Sequence, residues 1–213
     1  MRGHIELYWR ELAEVTHKMP YAVIAAAADM LLECQRRGST IFVLGNGGSA
    51  ATASHFACDL AKGTRINGAP TFRVMPLTDN VPLMTAWGND TSYDRVFAEQ
   101  LTALVRPGDV VVMISASGNS PNVLRAAEVA RDAHALTIAM TGQSGGKLRC
   151  LSDLTMRVPS PSIELVEDAH MVIAHSLCVA LRERLRAEMQ ARVSEVGVLH
   201  APAGEPAVVE VGA

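Results

Sequence analysis

The sequence has no excess of positive charge. Of its 213 residues, 19 are lysine or arginine and 22 are aspartate or glutamate, so the formal net charge is −3. A chain with this balance has no cationic field of the kind that concentrates nucleic acid or anionic lipid. We therefore expect no direct nucleic-acid partner and no membrane partner, and a small molecule or another protein instead.

Cysteine is scarce, and long apolar runs are absent. The four cysteines are widely scattered along the chain, at Cys34, Cys58, Cys150 and Cys178. None forms the C-x-x-C pair of a zinc or redox motif, so we expect four buried free thiols. No apolar run near the N-terminus is long enough for a signal peptide, and no later run reaches membrane-spanning length. The expected location is the cytoplasm.

What the chain does have is a regular alternation of strand and helix patterns. Hydrophobic residues make up 49% of the sequence, enough for one sizeable core, and we expect one domain. Helical spacing from residue 5 to 37, with a break at Pro20, predicts two N-terminal helices. Five short apolar runs predict strands that begin near Thr40, Thr71, Asp109, Leu136 and Leu154. Further helices are predicted over residues 49–61, 93–105, 120–133 and 163–188.

This order of elements predicts an α/β fold of three layers, in which helices cover both faces of a doubly wound parallel sheet. The ligand site is expected beyond the carboxyl ends of the strands. Residues 1–37 are predicted to form N-terminal helices of the same domain, and residues 38–186 the α/β unit. Because periodicity fades after about residue 187, residues 187–213 are predicted to be a mobile tail, the alternative being an arm that packs on a neighbouring subunit.

Two loops rich in glycine and serine share one pattern. "GNGGS" follows the first strand at residues 45–49, and "SASGNS" follows the central strand at residues 115–120. Small residues let backbone N–H groups approach an anion closely, and a helix N-terminus adds positive potential. Together the loops predict a phosphate-binding site, although each alone is also an ordinary connection between strand and helix. The first loop has neither the lysine of a Walker A motif nor the third glycine of a dinucleotide fingerprint.

Two clusters of carboxylate and imidazole side chains could hold a divalent metal or move protons. His55 and Asp59 lie four residues apart on the helix after the first loop, so they share one face. Glu167, His170 and His175 lie near the start of the last helix, and the first two have the spacing of a carboxylate-bridged metal site. Structural roles remain open as well: His55 and Asp59 could form a surface ion pair, and a histidine of the last helix could be a core residue. Spacing alone does not show that the two helices meet.

These segments resemble, in matching order, the sugar isomerase (SIS) family and within it the phosphoheptose isomerases. The resemblance covers residues 5–186 and rests on "GNGGSAATASHFACDL", "GND" at residues 88–90, "SASGNS", "TGQSGG" and "VEDAHMVIAH". It implies a flavodoxin-like SIS fold and an aldose–ketose isomerase that acts on sedoheptulose 7-phosphate. It further implies one zinc or other divalent ion per subunit, and a homotetramer with its sites at subunit interfaces to which residues 1–37 contribute.

The resemblance also implies which residues form the site. Substrate contacts fall on Asn46, Gly47, Ser49, Asn89, Asp90, Ser115, Ser117, Ser120 and Glu167. Metal ligands fall on His55, Asp59, Glu167 and His175, and the catalytic roles on Asp59, Glu167 and His175. The familiar pattern has glutamate at position 59, glutamine at position 167 and threonine where Ala116 stands. These departures leave open which carboxylate is the base.

The resulting hypothesis is a phosphosugar isomerase that works through an enediolate. Asp59 or Glu167 would move a proton between C1 and C2, His175 would exchange protons with the sugar oxygens, and His55 would act only as a ligand. The alternative is a non-catalytic SIS protein that binds a phosphosugar or the DnaA replication initiator. Such a protein has no need of His175 opposite the first cluster, so the isomerase is favoured.

Overall fold

Five parallel strands form one sheet. The structure, a computed structural model, describes the backbone of residues 1–199 and the side chains of residues 1–194. The strands are β1 (Thr40–Gly45), β2 (Arg73–Pro76), β3 (Val110–Ser115), β4 (Leu136–Thr141) and β5 (Leu154–Arg157). They lie in the order β2-β1-β3-β4-β5, and every pairing is parallel. This is the flavodoxin-like order, which confirms the predicted doubly wound sheet.

Helices cover both faces of the sheet, as predicted. They are α1 (Arg2–His17), α2 (Tyr21–Arg36), α3 (Gly48–Cys58), α4 (Val81–Asp90), α5 (Val96–Leu104), α6 (Pro121–Asp132) and α7 (Ile163–Leu199). The α2, α3 and α7 helices pack on one face, and α5 and α6 on the other. Every residue of β3 is buried, because this central strand has a neighbour on each side and helices above and below.

The chain changes direction across the sheet between β1 and β3. From β1 it continues through α3 to β2 at one edge, and from β3 it continues through α6 to β4 on the other side. Gly45 at the end of β1 is in register with Ile114 near the end of β3. The two glycine-rich loops therefore leave neighbouring strands at the same edge, which is the topological switch point where α/β sheets bind ligands.

The sequence patterns missed α4, which carries the "GND" segment at its end. No residue of α4 is buried, although Val81 and Leu83 at its start are apolar. The Asn80 side chain caps the helix by accepting a hydrogen bond from the Leu83 N–H at 3.1 Å. Met84 and Trp87 pack partly against the core, but two half-buried positions are too few to give a helical pattern in the sequence.

The last helix is longer than predicted. It runs from Ile163 to Leu199 as one element, so residues 187–199 are helical although the sequence predicts a mobile tail from residue 187. Glu188 explains part of the extension, because it accepts hydrogen bonds from Arg184 at 2.9 Å and from Arg36 of α2 at 2.6 Å. The rest of the predicted tail, residues 200–213, lies outside the described residues.

The prediction of four buried thiols is wrong for two of them. Cys34 and Cys178 are buried, and burial raises their pKa values to about 11 and about 12. Cys58 and Cys150 are exposed, because Cys58 lies on the outer side of α3 and Cys150 ends a short turn at residues 148–150. Among the described residues, no helix combines the length and the apolar character needed to cross a bilayer.

Candidate active site

The α3 and α7 helices meet and bring the two predicted clusters together at three residues. The Nε2 atoms of His55 and His175 lie 3.2 Å apart. The Asp59 Oδ2 atom lies 3.4 Å from the first nitrogen and 3.6 Å from the second. The two rings meet edge to face, with an interplanar angle of 71°. Three donor atoms thus converge on one point, although His55 and His175 are 120 positions apart in the chain.

The geometry of this cluster fits a metal ion. Three atoms with these separations are equidistant from a point about 2.0 Å away, which is the length of zinc–imidazole and zinc–carboxylate bonds. Two imidazoles and one carboxylate also leave coordination positions open, as catalytic zinc sites do. The two imidazoles are about half exposed and Asp59 is 31% exposed, so a ligand can reach the cluster. Within residues 1–194 it is the one group of three such donors close enough to share an ion.

Asp59 begins a single π turn that ends the helix. The turn covers Asp59–Gly63, and the Thr64 N–H donates to the Asp59 carbonyl at 3.2 Å, five residues back. The buried Thr64 hydroxyl donates to the Leu60 carbonyl at 2.7 Å. Such π turns are rare and are frequent at functional sites. Hydrogen bonds that a regular helix end lacks therefore fix the backbone at Asp59.

Glu167 does not join this cluster. Its carboxylate lies against Gly48 in the first turn of α3, where a Cβ atom on that glycine would be 2.8 Å from Oε2. Glu167 and His175 are eight residues apart on one helix, a rise of about 12 Å, so the two side chains reach different parts of the site. Glu167 instead brings a negative charge to the first glycine-rich loop.

The two loops differ in their polar groups. In the first, Gly47 has a φ of 54°, a left-handed conformation that favours glycine, and Ser49 is buried in the first turn of α3. In the second, the Ser115 and Ser120 hydroxyls lie 3.3 Å apart, and Ser117 accepts a hydrogen bond from the Asn119 N–H at 3.1 Å. Proline at position 121 then starts α6.

The second loop borders a cavity of about 570 Å³. Its lining includes Ala116 and Ser117 of the loop, Gly142 and Gln143 of the segment after β4, and Val166 of α7. The loop is held in place by the segment after β4, because the Gly142 N–H donates to the Ala116 carbonyl at 2.9 Å. Of the predicted site residues only Ser117 lines this cavity, so the cavity and the histidine cluster are separate parts of the edge.

Comparison with known proteins identifies the family. A family model described as "SIS domain" matches residues 8–142. The chain belongs to the SIS domain family.

Its relatives include phosphoheptose isomerases, as the resemblance implies. The phosphoheptose isomerase of Trichlorobacter lovleyi is 37% identical over 185 residues, which are 87% of this chain and 91% of the relative. That of Rhodospirillum rubrum is 41% identical over 76% of this chain and 86% of the relative. Among solved structures, the phosphoheptose isomerase GmhA from Neisseria gonorrhoeae superposes with a TM-score of 0.80 at 32% identity, covering 85% of this chain and 98% of that chain.

Two residues of this SIS protein that no sequence pattern indicates, Asn122 and Tyr93, contact its first loop. Asn46 and Asn122 form a reciprocal amide pair, with Nδ2 to Oδ1 distances of 2.8 Å in both directions. The Tyr93 hydroxyl donates to Asn46 Oδ1 at 3.1 Å. Asn122 is the second residue of α6, so the pair joins the first loop to the helix that follows the second loop. No periodicity or spacing links these three positions in the sequence.

Three other candidate residues of this SIS protein, Asn89, Asp90 and His170, lie apart from the cluster. Asn89 and Asp90, at the exposed end of α4, hydrogen-bond to each other at 2.9 Å and to no loop residue among the side chains described. His170 is 1% exposed, and neither ring nitrogen has a hydrogen-bond partner within residues 1–194. Burial lowers the pKa of His170 to about 4, an effect that the nearby Thr141 backbone opposes. It is therefore a neutral core residue.

Proposed function

We propose that this SIS protein is an isomerase that interconverts sedoheptulose 7-phosphate and a D-glycero-heptose 7-phosphate. The observation that carries the proposal is the cluster of His55, Asp59 and His175, built partly on the helix that starts at the first glycine-rich loop. A phosphosugar has its reacting carbons at one end and its phosphate at the other. A proton-transfer site and an anion site at one edge of the sheet suit such a molecule.

The phosphate binds at the second loop, between Ser115 and Ser120. Three serine hydroxyls and the N-terminus of α6 provide donors there. At the first loop the Glu167 carboxylate, which lies against Gly48, repels a phosphate dianion. We therefore assign Asn46, Gly47 and Ser49 to contacts with the uncharged part of the sugar, with Asn89 and Asp90 completing them.

The metal proposed for the cluster is one zinc ion, or another divalent ion, per subunit. His55 and His175 would hold it through Nε2 and Asp59 through Oδ2, which is the donor set whose geometry fits. When bound, such a cation supplies a Lewis acid that polarises the sugar carbonyl and stabilises enediolate charge.

The proton transfers are assigned to side chains of the cluster. Asp59 takes the proton from C2 of the aldose or C1 of the ketose and returns it to the neighbouring carbon. Its two oxygens allow one to face the imidazoles while the other accepts the proton. His175 moves the second proton between the two sugar oxygens through Nδ1, the ring nitrogen that a metal on Nε2 would leave free. Glu167, which lies against Gly48 and outside the cluster, orients the sugar without moving the carbon proton.

A homotetramer with sites at subunit interfaces is proposed as well. Its support is the set of large apolar side chains that the single chain leaves exposed on three helices: Ile5, Leu7 and Trp9 of α1, Val81 and Leu83 of α4, and Val172 and Val179 of α7. Exposed apolar groups of this extent commonly mark contacts between proteins. The first test is the mass in solution by light scattering, where a monomer would contradict the proposal.

The function is tested with zinc-loaded protein and sedoheptulose 7-phosphate, followed by carbon NMR. We expect conversion to the aldose, and slower conversion of pentose and hexose phosphates. Replacing His175→Gln is expected to lower turnover by about 10²- to 10⁴-fold, the usual contribution of a general acid or base. Binding of the phosphosugar without any conversion would favour the non-catalytic alternative instead.

A further inference from the structure

The Asn46 side chain has one polar hydrogen left for a ligand. An amide offers two hydrogens on nitrogen and two lone pairs on oxygen. Asn122 takes one hydrogen and donates to one lone pair, both at 2.8 Å. The Tyr93 hydroxyl donates to the second lone pair at 3.1 Å. The Asn46 oxygen is therefore saturated, and only one Nδ2 hydrogen remains.

Three segments of the chain hold this amide. Asn46 lies in the first loop, Asn122 in the first turn of α6, and Tyr93 in the short turn between α4 and α5. Asn122 is 2% exposed, so its amide is fixed by the surrounding core. Tyr93 is 59% exposed, and among residues 1–194 its hydroxyl donates to no group other than Asn46. Because Tyr93 is exposed and its hydroxyl contacts only this amide of the site, we expect the hydroxyl to contribute little to the stability of the fold.

We propose that Asn122 and Tyr93 are positioning residues, which fix the Asn46 amide so that its remaining Nδ2 hydrogen is donated to an acceptor oxygen of the phosphosugar. The proposal rests on the proposed function and deepens it, because it makes Asn46 a donor and never an acceptor at the site. An isolated asparagine can rotate by 180° and present either its oxygen or its nitrogen. With both lone pairs occupied, that choice is removed before the substrate arrives.

The test uses two tyrosine hydroxyls of matched exposure. Tyr93→Phe removes the bond to Asn46, and Tyr21→Phe removes a bond from a 62% exposed tyrosine to the Thr16 carbonyl. Binding of sedoheptulose 7-phosphate is measured by titration calorimetry on the full, zinc-loaded chain. We expect Tyr93→Phe to raise the Kd about threefold to tenfold, the effect of one neutral hydrogen bond, and Tyr21→Phe to leave it unchanged. An unchanged Kd for Tyr93→Phe would overturn the proposal.

A double-mutant cycle separates positioning from a direct contact. In an Asn46→Ala background, Tyr93→Phe is expected to have no further effect on the Kd, because the amide that it positions is gone. Additive losses would show that Tyr93 acts on the substrate by itself and would overturn the proposal. Asn122→Asp, which keeps the acceptor and loses the donor, is expected to raise the Kd about tenfold or more. Thermal unfolding of Tyr93→Phe should match the parent, since a purely structural role would move the unfolding midpoint instead.

The outcomes for this inference and for the proposed function are distinguishable. A parent protein that binds the phosphosugar without converting it overturns the isomerase, while the Kd values still decide the positioning roles. A parent protein that does not bind the phosphosugar overturns both.

Discussion

Asp59 and Glu167 are both carboxylates on the two helices of the site, yet they serve different parts of it. Asp59 lies 3.4 Å and 3.6 Å from two imidazole nitrogens, at the start of a π turn. Glu167 lies against Gly48, beside a loop made of small residues. The first can share a cation with the histidines, while the second sets the charge of a binding loop. The position of a carboxylate, more than its residue type, decides its role at this site.

The two histidines at the start of α7 show the same contrast. His175 is exposed and faces His55, whereas His170 is buried against the sheet without a hydrogen-bond partner among residues 1–194. Five residues turn a helix by about 140° beyond one full turn, so the two rings lie on different sides of α7. Proximity in the sequence therefore separates these two side chains instead of joining them.

Exchanging each carboxylate for its amide should produce the largest difference. Asp59→Asn is expected to lower kcat on sedoheptulose 7-phosphate by about 10³-fold, because the amide cannot accept the carbon proton. Glu167→Gln keeps the size of a side chain that lies outside the cluster. It is expected to lower kcat by less than about tenfold. Steady-state kinetics on the two variants measures both effects. Equal losses in the two variants would contradict the division of roles.

Zinc affinity should differ between the same two variants, with a loss in Asp59→Asn and none in Glu167→Gln. Loss of one of three protein ligands is expected to weaken zinc binding by about 100-fold or more in Asp59→Asn, since even changes beyond the ligands themselves cost 10- to 100-fold. Competition with a chelator measures the affinity, and Glu167→Gln serves as the matched control with parent-like binding. Weaker zinc binding by Glu167→Gln would show that Glu167 reaches the metal.

Acid should destabilise the folded chain through the buried His170. The pKa of His170 is lowered to about 4 by burial, whereas an unfolded histidine titrates near 6.5. The unfolded state therefore takes up a proton first as the pH falls, and the free energy of unfolding decreases by about 3 kcal/mol between pH 6.5 and pH 4. Urea unfolding at several pH values measures this slope. His170→Leu is expected to flatten it, and replacing the exposed His4→Gln should leave it as in the parent.

The smallest expected effect comes from Gly48→Ala. The added methyl group would lie 2.8 Å from the Glu167 carboxylate, which can move because it is the end of a flexible side chain. We expect unchanged stability and a change in KM of about threefold to tenfold, as one polar contact is rearranged. The double variant Gly48→Ala with Glu167→Ala should show no loss beyond that of Glu167→Ala, because the side chain that the methyl group displaces is then absent. Independent losses in the double variant would place the effect elsewhere.

The sequence alone predicted most of this architecture. Five apolar runs alternating with helices correspond to β1 through β5, and the loops at residues 45–49 and 115–120 lie at neighbouring strand ends as expected. It missed α4, which has no buried residue, and the extension of α7 to Leu199, where the apolar periodicity fades and none of residues 187–194 is buried. Amphipathic patterns report burial, so elements without a buried stripe leave no such pattern.

The sequence likewise predicted only part of the candidate site. Spacing put His55 and Asp59 on one helix face, because four residues are close to one turn and that relation is local. Only the tertiary structure decided that His175, and not His170 or Glu167, joins them, and that Asn122 and Tyr93 hold Asn46. These relations depend on how α7 is rotated against α3 and on how loops from different strands meet. Local sequence cannot encode them alone, since they are set by packing across the whole core.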